Sequence, residues 1–313
     1  MTSPVIYWFR QDLRIDDLPG LNAAAASGQP VLPIFILDDE APGAWPLGGA
    51  SRWWLHHSLA ALSGQLTSHG ADLHLYRGKT ADILPTLVEA TGATAIFCSR
   101  AIEPWARNQE EQLHACFSER GVEVRRYPGA LLFEPETIHT KAGEPFKVFT
   151  PFWRNCRTQP EPAMPRGLPE DAAFLELEKD RLELDALDLL PKEPDWAAGW
   201  EMLWQPGSEG AKAALSRFLQ SAITDYDESR NHPARDATSR LSAHLHFGEI
   251  SPRQVWHAAT EHCRDNGDLE SQCDKFLSEL GWREFSHHLL HHFPDIPEEP
   301  FKQEFAGFPW LGS

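Results

Sequence analysis

Short apolar runs alternate with longer helix-like stretches along the first 130 residues. Five runs are rich in β-branched and aromatic residues, which is typical of buried strands. They are VIYWF from Val5, VLPIFIL from Val31, LHLY from Leu73, AIFC from Ala95 and VEVRRY from Val122. Between the second and third runs, apolar residues recur at helical spacing in SRWWLHHSLAALSGQLTSHG. This repeated order predicts an α/β fold with a doubly wound, parallel, five-stranded sheet.

The pattern changes twice further along the chain. Residues 134–206 are rich in proline and acid and show no strand pattern, so they are predicted to form a long acidic linker with a short helix or two. From residue 207 onwards the apolar period is helical. The predicted domains are therefore 1–133 (α/β), 134–206 (linker) and 207–313 (all-α). Two helical faces carry the apolar residues Leu215, Phe218, Leu219 and Ile223, and Phe276, Leu277, Leu280 and Phe285.

Charge and cysteine content narrow the class of protein. The net charge is -18, which argues against a protein that coats nucleic acid non-specifically. Residues 161–201 hold 12 acidic and 4 basic residues, so much of the excess lies in the linker. No apolar run is long enough to span a membrane and no signal-peptide pattern is present, so a cytoplasmic protein is expected. The 5 cysteines are scattered and are predicted to be reduced.

The end of the first predicted strand carries the charged residues Arg10, Asp12 and Arg14. Ligands of doubly wound sheets bind beyond the carboxyl ends of the strands, so these side chains could face one. A salt-bridged turn is the ordinary alternative, and it is favoured without further context. The chain has no G-x-G-x-x-G and no Walker A sequence, which disfavours dinucleotide dehydrogenases and P-loop NTPases.

A cluster of hydroxyl groups precedes a predicted helix start in DATSRLSAHLHF. Thr238, Ser239 and Ser242 supply hydroxyls, and Arg240 supplies a guanidinium. Such groups, together with free backbone N–H groups, suit an anion and phosphate above all. An ordinary helix cap beside a surface arginine explains the same residues equally well.

A second constellation lies in SELGWREF. Glu279, Trp282 and Arg283 are spaced i, i+3 and i+4, so they share one face of a helix. The indole could stack on an extruded nucleobase, while the carboxylate accepts from base N–H groups and the guanidinium reaches phosphate or a cofactor. On spacing alone, a core tryptophan beside a surface ion pair is the better interpretation.

These motifs together resemble the photolyase and cryptochrome family. The resemblance is carried by WFRQDLRIDD near the N-terminus, by YDESRNHPARDATSRLSAHLHFGEISPRQVW, and by FLSELGWREFSHHLL. It covers essentially the whole chain, and the motifs occur in the family's order and at its spacing.

The resemblance implies a flavoprotein that repairs DNA. It implies that FAD is bound by Tyr226, Thr238, Ser239, Arg240, Leu241, Ser242 and Arg283. It assigns Arg230, Glu279, Trp282 and Arg283 to DNA containing a cyclobutane pyrimidine dimer. An excited reduced flavin donates one electron to the dimer and recovers it afterwards, so the resemblance demands no catalytic acid, base or metal. The i, i+4 histidine pairs among His287, His288, His291 and His292 are accordingly not expected to bind a metal.

The resemblance also implies an antenna chromophore in the α/β domain, either a folate or a deazaflavin. Candidate contacts are the WFRQDLR loop and the pair Arg52 and Trp53. The folate subgroup has a glutamate where this chain has Pro104, with Glu103 beside it. The identity of the antenna therefore stays open. Trp310 is similar to the outermost tryptophan of the family's electron-transfer chain.

Several segments that follow FPW in the family are missing here, so the FAD-binding domain is predicted to be incomplete. Apolar faces around Phe276, Leu280 and Leu289 should then be exposed, favouring self-association or a C-terminal half supplied in trans. Three functions stay open: a cyclobutane dimer photolyase, a cryptochrome-like blue-light photoreceptor, and a non-catalytic remnant. Glu279 and Trp282 favour repair, because a receptor has no need of a dimer pocket.

Overall fold

A five-stranded parallel sheet forms the first half of the molecule, as the sequence predicts. The computed structural model describes residues 3–177 and 181–309. The strand order is β3-β2-β1-β4-β5, and every neighbouring pair is parallel. The strands are β1 (Val5–Phe9), β2 (Val31–Leu37), β3 (His74–Arg77), β4 (Ala95–Ser99) and β5 (Glu123–Tyr127).

Helices cover both faces of the sheet. One face packs on α1 (Pro19–Ala25) and α2 (Gly49–Ser68) in a core that includes Tyr7, while Trp8 points to the other face, against α3 (Thr80–Thr91) and α4 (Pro104–Ser118). Successive residues of a strand point to opposite faces, so strands covered on both sides are apolar throughout. This explains why all five residues of β1 are buried.

The remaining described helices belong to the second half and to the segment that precedes it. A second apolar core centres on Phe218, Tyr226 and Phe276. The helical prediction for this half is confirmed. The helices are α5 (Phe149–Cys156), α6 (Ser208–Gln220), α7 (Tyr226–Ser229), α8 (Ser242–His246), α9 (Pro252–Asp265) and α10 (Glu270–His292).

The acidic segment 134–206 wraps both parts. Helix α5 packs on α10, and Phe174 forms a parallel bridge to Val31. The backbone N–H of Leu182 donates to the carbonyl of Leu75 at 2.9 Å, outside the edge strand β3. An uncovered edge strand invites pairing with other chains, so this segment protects the sheet. The domain limits at 133 and 206 stay a prediction.

The helical part docks on the loop that follows β1. The N–H of Leu13 donates to the carbonyl of Phe247 at 3.0 Å. Gly248 has φ +67°, and a Cβ there would lie 2.2 Å from the carbonyl oxygen of Gln11. Only glycine permits both the positive φ and this close approach. The junction is therefore fixed by backbone contact.

Two expectations about side chains are wrong. Phe276 and Leu280 are buried, because they pack on α6 and α7, and Leu289 is half-buried. The expected apolar face for self-association is therefore not exposed at these positions. Cys263 and Cys273 are joined in a disulfide, so the expectation of reduced thiols fails for this pair. Helices α9 and α10 are linked by a short turn, which brings the two cysteines together.

Candidate functional site

A cavity of about 870 Å³ lies where the carboxyl ends of the strands meet the helical part. Arg10 follows β1, Asp38 follows β2 and Arg100 follows β4, and all three line it. β1 lies between β2 and β4, so the chain order of the strands reverses at this point of the sheet. Crevices at such reversals are where doubly wound sheets bind ligands. The opposite wall comes from α7, α8, α10 and the loop before α8.

The seven residues predicted to hold FAD all line this cavity. They come from three separate segments: Tyr226 on α7, residues 238–242 before and at the start of α8, and Arg283 on α10. Burial raises the pKa of Tyr226, so its hydroxyl remains protonated. The hydroxyls of Thr238 and Ser242 have no hydrogen-bond partner among the described residues, which leaves them available to a ligand.

The helix expected behind the hydroxyl cluster is short. Helix α8 has 5 residues, so its dipole is small and the hydroxyls and Arg240 supply most of the anion affinity. Arg240 has φ +55°, and its guanidinium lies 3.0 Å from Asp236 and above the ring of Trp204. Its charge is therefore partly neutralised at the cavity wall.

Arg283 lines the cavity and also hydrogen-bonds to two other backbone segments. One of its nitrogens donates to the carbonyl oxygen of Ala130 at 2.7 Å, and the other donates to that of Leu245 at 3.4 Å. The guanidinium thus links α10 to the end of the α/β part and to α8. Of the two roles expected for Arg283, its position favours contact with the cofactor.

Of the residues predicted to receive DNA, Glu279 and Arg283 line the cavity, and Arg230 and Trp282 do not. Glu279 lines the cavity, and Arg230 binds its Oε1 atom. Arg230 also lies over the ring of Tyr226, 5.7 Å from the centroid. Trp282 is 47% exposed and stacks on Phe149, with 3.7 Å between ring centroids. The carboxylate and indole share a helical face, as predicted, but Arg230 is engaged with Glu279.

On the sheet side, the loop after β1 is mostly structural. Asp12 is buried and accepts from the hydroxyls of Tyr7 and Ser99, both at 2.6 Å. Arg14 is buried and donates to four backbone carbonyls. Neither lines the cavity, and neither forms an ion pair with the described residues, so both are structural but do not make the salt-bridged turn of the ordinary alternative. Arg10 does line it, with its guanidinium over the ring of Trp8 and 2.6 Å from Glu110.

The expected antenna contacts are only partly placed in the cavity. Glu103 lines it, whereas Trp53 is buried in the core and Arg52 pairs with Asp39 at 2.5 Å. The sequence interpretation missed the aromatic lining on this side, which is made by Trp8, Trp45 and Trp105. Trp8 and Trp105 adjoin the carboxyl ends of β1 and β4. Doubly wound sheets bind ligands at these ends, so the position of both tryptophans near a predicted strand end was the signal that could have identified them.

The histidines of α10 take separate partners. His288 is buried, and its Nε2 accepts from the N–H of Phe146 at 3.1 Å. Burial lowers the pKa of His287 to about 4, so this cavity-lining ring is neutral at pH 7. Across residues 3–177 and 181–309, no three His, Cys, Asp or Glu side chains are grouped to hold a metal ion. Trp310, the predicted electron-transfer residue, lies outside the described residues.

The cavity fits FAD in size and in chemistry. Pockets for small molecules and cofactors span roughly 300–1,000 Å³, and this cavity lies near the upper end of that range. Residues 238–242 contribute hydroxyls and a guanidinium to the cavity lining. Leu245, Phe276 and Leu280 contribute an apolar surface to the same cavity. A diphosphate suits the first surface and a planar ring system the second.

Comparison with known proteins agrees with this geometry. The chain is 41% identical over 312 residues to the deoxyribodipyrimidine photo-lyase of Agrobacterium fabrum, covering 99% of this chain and 64% of that protein. It is 34% identical over 321 residues to cryptochrome-2 of Arabidopsis thaliana, covering 99% of this chain and 52% of that protein. A bacterial class III photolyase structure from Agrobacterium tumefaciens superposes with a TM-score of 0.93 at 40% identity, over 99% of this chain and 64% of that one.

The chain thus spans 64% of the length of the Agrobacterium relative. Among the described residues, no helix combines the length and the apolar character that crossing a bilayer requires. The sequence model of the DNA photolyase family matches residues 5–170, which is more than half of the chain. The sheet order, the cavity at the strand ends and the motifs on α7, α8 and α10 agree with that match, and the chain belongs to the DNA photolyase family.

Proposed function

We propose that this protein is a deoxyribodipyrimidine photo-lyase that binds FAD and repairs cyclobutane pyrimidine dimers in DNA. One observation carries the proposal: the FAD-binding candidates and Glu279 line a single cavity, and Trp282 follows Glu279 by three residues on the same helix. A flavin and an extruded dimer could therefore meet without any rearrangement of α10. The name of the Agrobacterium fabrum relative, which is 41% identical, supports this activity rather than a receptor function.

Tyr226, residues 238–242 and Arg283 are the groups that would hold FAD. When bound and reduced, FAD supplies the light-driven one-electron chemistry. Thr238, Ser239 and Ser242 would donate hydroxyl hydrogens to the diphosphate, and Arg240 would add positive charge. Their hydroxyls need no proton transfer for this task.

Glu279 and Trp282 are the groups that would recognise the extruded bases. Arg230 binds Oε1 of Glu279 and holds the carboxylate in place, which leaves Oε2 to accept from a base N–H. The exposed indole of Trp282 offers a plane for stacking. Arg230 would be able to pair with a DNA phosphate if it released Glu279.

The sheet side of the same cavity would take the antenna chromophore, a folate or a deazaflavin, next to the FAD candidates of the helical side. Its aromatic lining of Trp8, Trp45 and Trp105 suits a flat ring. Among the described residues, the buried polar atoms Trp8 Nε1, Arg10 Nη1 and Thr80 Oγ1 have no partner, so they could bind one.

The proposed function is tested with the 313-residue chain itself. The purified protein is incubated with FAD, desalted, and examined by its absorption spectrum. The chemically reduced complex is then illuminated with an oligonucleotide that carries one thymine dimer. Light-dependent loss of the dimer supports repair. Retained flavin that photoreduces without repair would instead indicate a photoreceptor, and absence of bound flavin would indicate a chain that needs a partner in trans or a non-catalytic remnant.

Replacing Trp282 with alanine should weaken binding of dimer-containing DNA in the dark by about 5- to 150-fold, because stacking of one base on an aromatic ring contributes about 1–3 kcal/mol. Binding of undamaged DNA should change little. A matched control is Trp196→Ala, which removes an indole that is 44% exposed and lies in the acidic segment. Equal dimer affinities for wild type and Trp282→Ala would exclude this tryptophan from recognition.

A further inference from the structure

Helix α5 packs against the lesion-facing part of α10, although it lies in the segment expected to be a linker. The contact depends on Gly281, where a Cβ would lie 2.6 Å from Cε3 of Trp153. Real Cβ atoms essentially never approach a ring carbon this closely, so any larger residue would push the indole away. The missing side chain at Gly281 therefore leaves a gap in the surface of α10, one residue before Trp282, and Trp153 of α5 packs into it. This gap is called the Gly281 notch.

The rings of α5 continue into a parallel stack with Trp282. Phe149 lies 3.7 Å from Trp282 between centroids, with an angle of 10° between the planes. It is also nearly parallel to Trp153, at 6.4 Å and 11°. Phe285 meets Trp282 edge-on at 6.1 Å and 72°. One face of the indole is thus covered by Phe149 and one side is supported by Phe285, while 47% of the residue stays exposed.

An exposed tryptophan normally samples several rotamers, and ordering it on binding costs free energy. A phenylalanine ring stacked on one face of the indole already restricts its rotamers, so less free energy is lost when a base binds. It also leaves the other face as the surface for a base. Phe149 lies against the face of Trp282, so its effect on a stacked base would pass through the tryptophan.

We propose that Phe149 is a positioning residue for dimer recognition, which fixes the orientation of Trp282, and that the Gly281 notch sets the position of Phe149. This inference rests on the proposed repair function. The segment 134–206, which contains Phe149, thereby takes part in recognising damaged DNA.

The contact itself is tested by fluorine NMR, which needs neither flavin nor DNA. Tryptophan is replaced by 5-fluorotryptophan, and the Trp282 resonance is assigned by its loss in Trp282→Phe. In Phe149→Leu that resonance should move, because the ring current of the stacked phenylalanine disappears, and it should broaden as the indole gains rotamers. Thr150→Ala changes an exposed neighbour on α5 and should leave the resonance in place.

Dark binding of DNA tests the role. Phe149→Leu should weaken binding to dimer-containing DNA by about 2- to 10-fold, the range that an aromatic pair contributes, and should not alter binding to undamaged DNA. Phe149→Trp restores a stacking ring and should recover most of the loss. Gly281→Ala should produce the same selective loss with Phe149 still present, provided that its thermal midpoint shows a folded protein.

The outcomes separate the inference from the proposed function. A moved resonance with unchanged dimer affinity overturns the positioning role and leaves the repair function standing. Loss of both DNA affinities together, or no recovery in Phe149→Trp, also overturns it, since a general loss of structure would explain the result. A wild-type protein that binds damaged and undamaged DNA equally overturns the proposed function, and the positioning role falls with it, whatever the resonance shows.

Discussion

Replacing Arg14 with methionine should lower the free energy of unfolding by about 3–5 kcal/mol, the cost of removing one partner from a buried charged network. The side chain is 1% exposed. Its nitrogens donate to the carbonyls of Asp16, Asp17, Gly129 and Gly248 at 2.8–3.0 Å. Methionine fills similar space but leaves these backbone carbonyls without their donor.

The measurement is a denaturant unfolding curve followed by circular dichroism. Arg120→Met is the matched control, because Arg120 is exposed and makes no side-chain contact with the described residues. The control should unfold near the wild-type midpoint. Gly248 belongs to the helical part, so Arg14→Met should also loosen the cavity between the two parts and reduce retention of FAD. A midpoint equal to that of the control would show that the network contributes nothing net.

Replacing Glu284 with glutamine should make the protein more stable than wild type at pH 8, by up to about 3 kcal/mol, with little difference near pH 5. Glu284 is buried on α10, and burial raises its pKa to about 7 from an ordinary 4.5. Oε2 accepts from the N–H groups of Leu132 and Phe133 at 2.8 and 3.1 Å, whereas Oε1 makes no hydrogen bond with the described residues and lies 3.5 Å from Nη1 of Arg283, a charge that opposes the effect of burial only in part.

The sign follows from proton binding. Between pH 4.5 and 7 the folded protein holds a proton on Glu284 that the unfolded chain has released. Stability from this group is therefore fully present below pH 4.5 and is lost as the pH rises through 7. Glutamine keeps an acceptor for both N–H groups and does not titrate, so the difference between the two proteins should grow with pH.

Urea unfolding at pH 5, 6, 7 and 8 gives this difference directly, because all other titrating groups are common to both proteins. Exposed Glu261→Gln on α9 serves as the control and should differ from wild type by a constant amount. If the Glu284→Gln curve also runs parallel to wild type over the whole range, the carboxyl is ionised throughout and the burial argument fails. A stability difference that grows with pH would show that deprotonation of Glu284 weakens the contact between residues 132–133 and α10.

Local patterns were enough to predict the fold class. The apolar runs at β1, β2 and β4 are buried on both faces, and only a covered parallel sheet satisfies such runs separated by helices, whereas the edge strand β5 is largely exposed. The helical second half followed in the same way from the period of residues such as Phe218 and Phe276. These predictions succeeded because periodicity reports burial directly.

Motif order likewise identified most of the candidate site. Tyr226, the segment 238–242, Glu279 and Arg283 were named from the sequence, and the fold brings all of them to one cavity. Their roles stay predictions. Trp8, Trp45 and Trp105 were missed, because a tryptophan in an apolar run is indistinguishable from a core residue until the strand ends are placed.

The sequence by itself determined the periodic elements, the family and the residue types available for binding FAD and damaged DNA. Only the tertiary structure decided that Arg14 holds backbone carbonyls together, that Arg230 engages Glu279, and that Phe149 covers one face of Trp282. Arg230 and Glu279 lie 49 positions apart and Arg14 and Gly248 lie 234 apart, and Phe149 lies in a segment that has no helical period long enough to predict its packing. Periodicity specifies which face of an element is buried, whereas the partner that buries it depends on how distant elements pack.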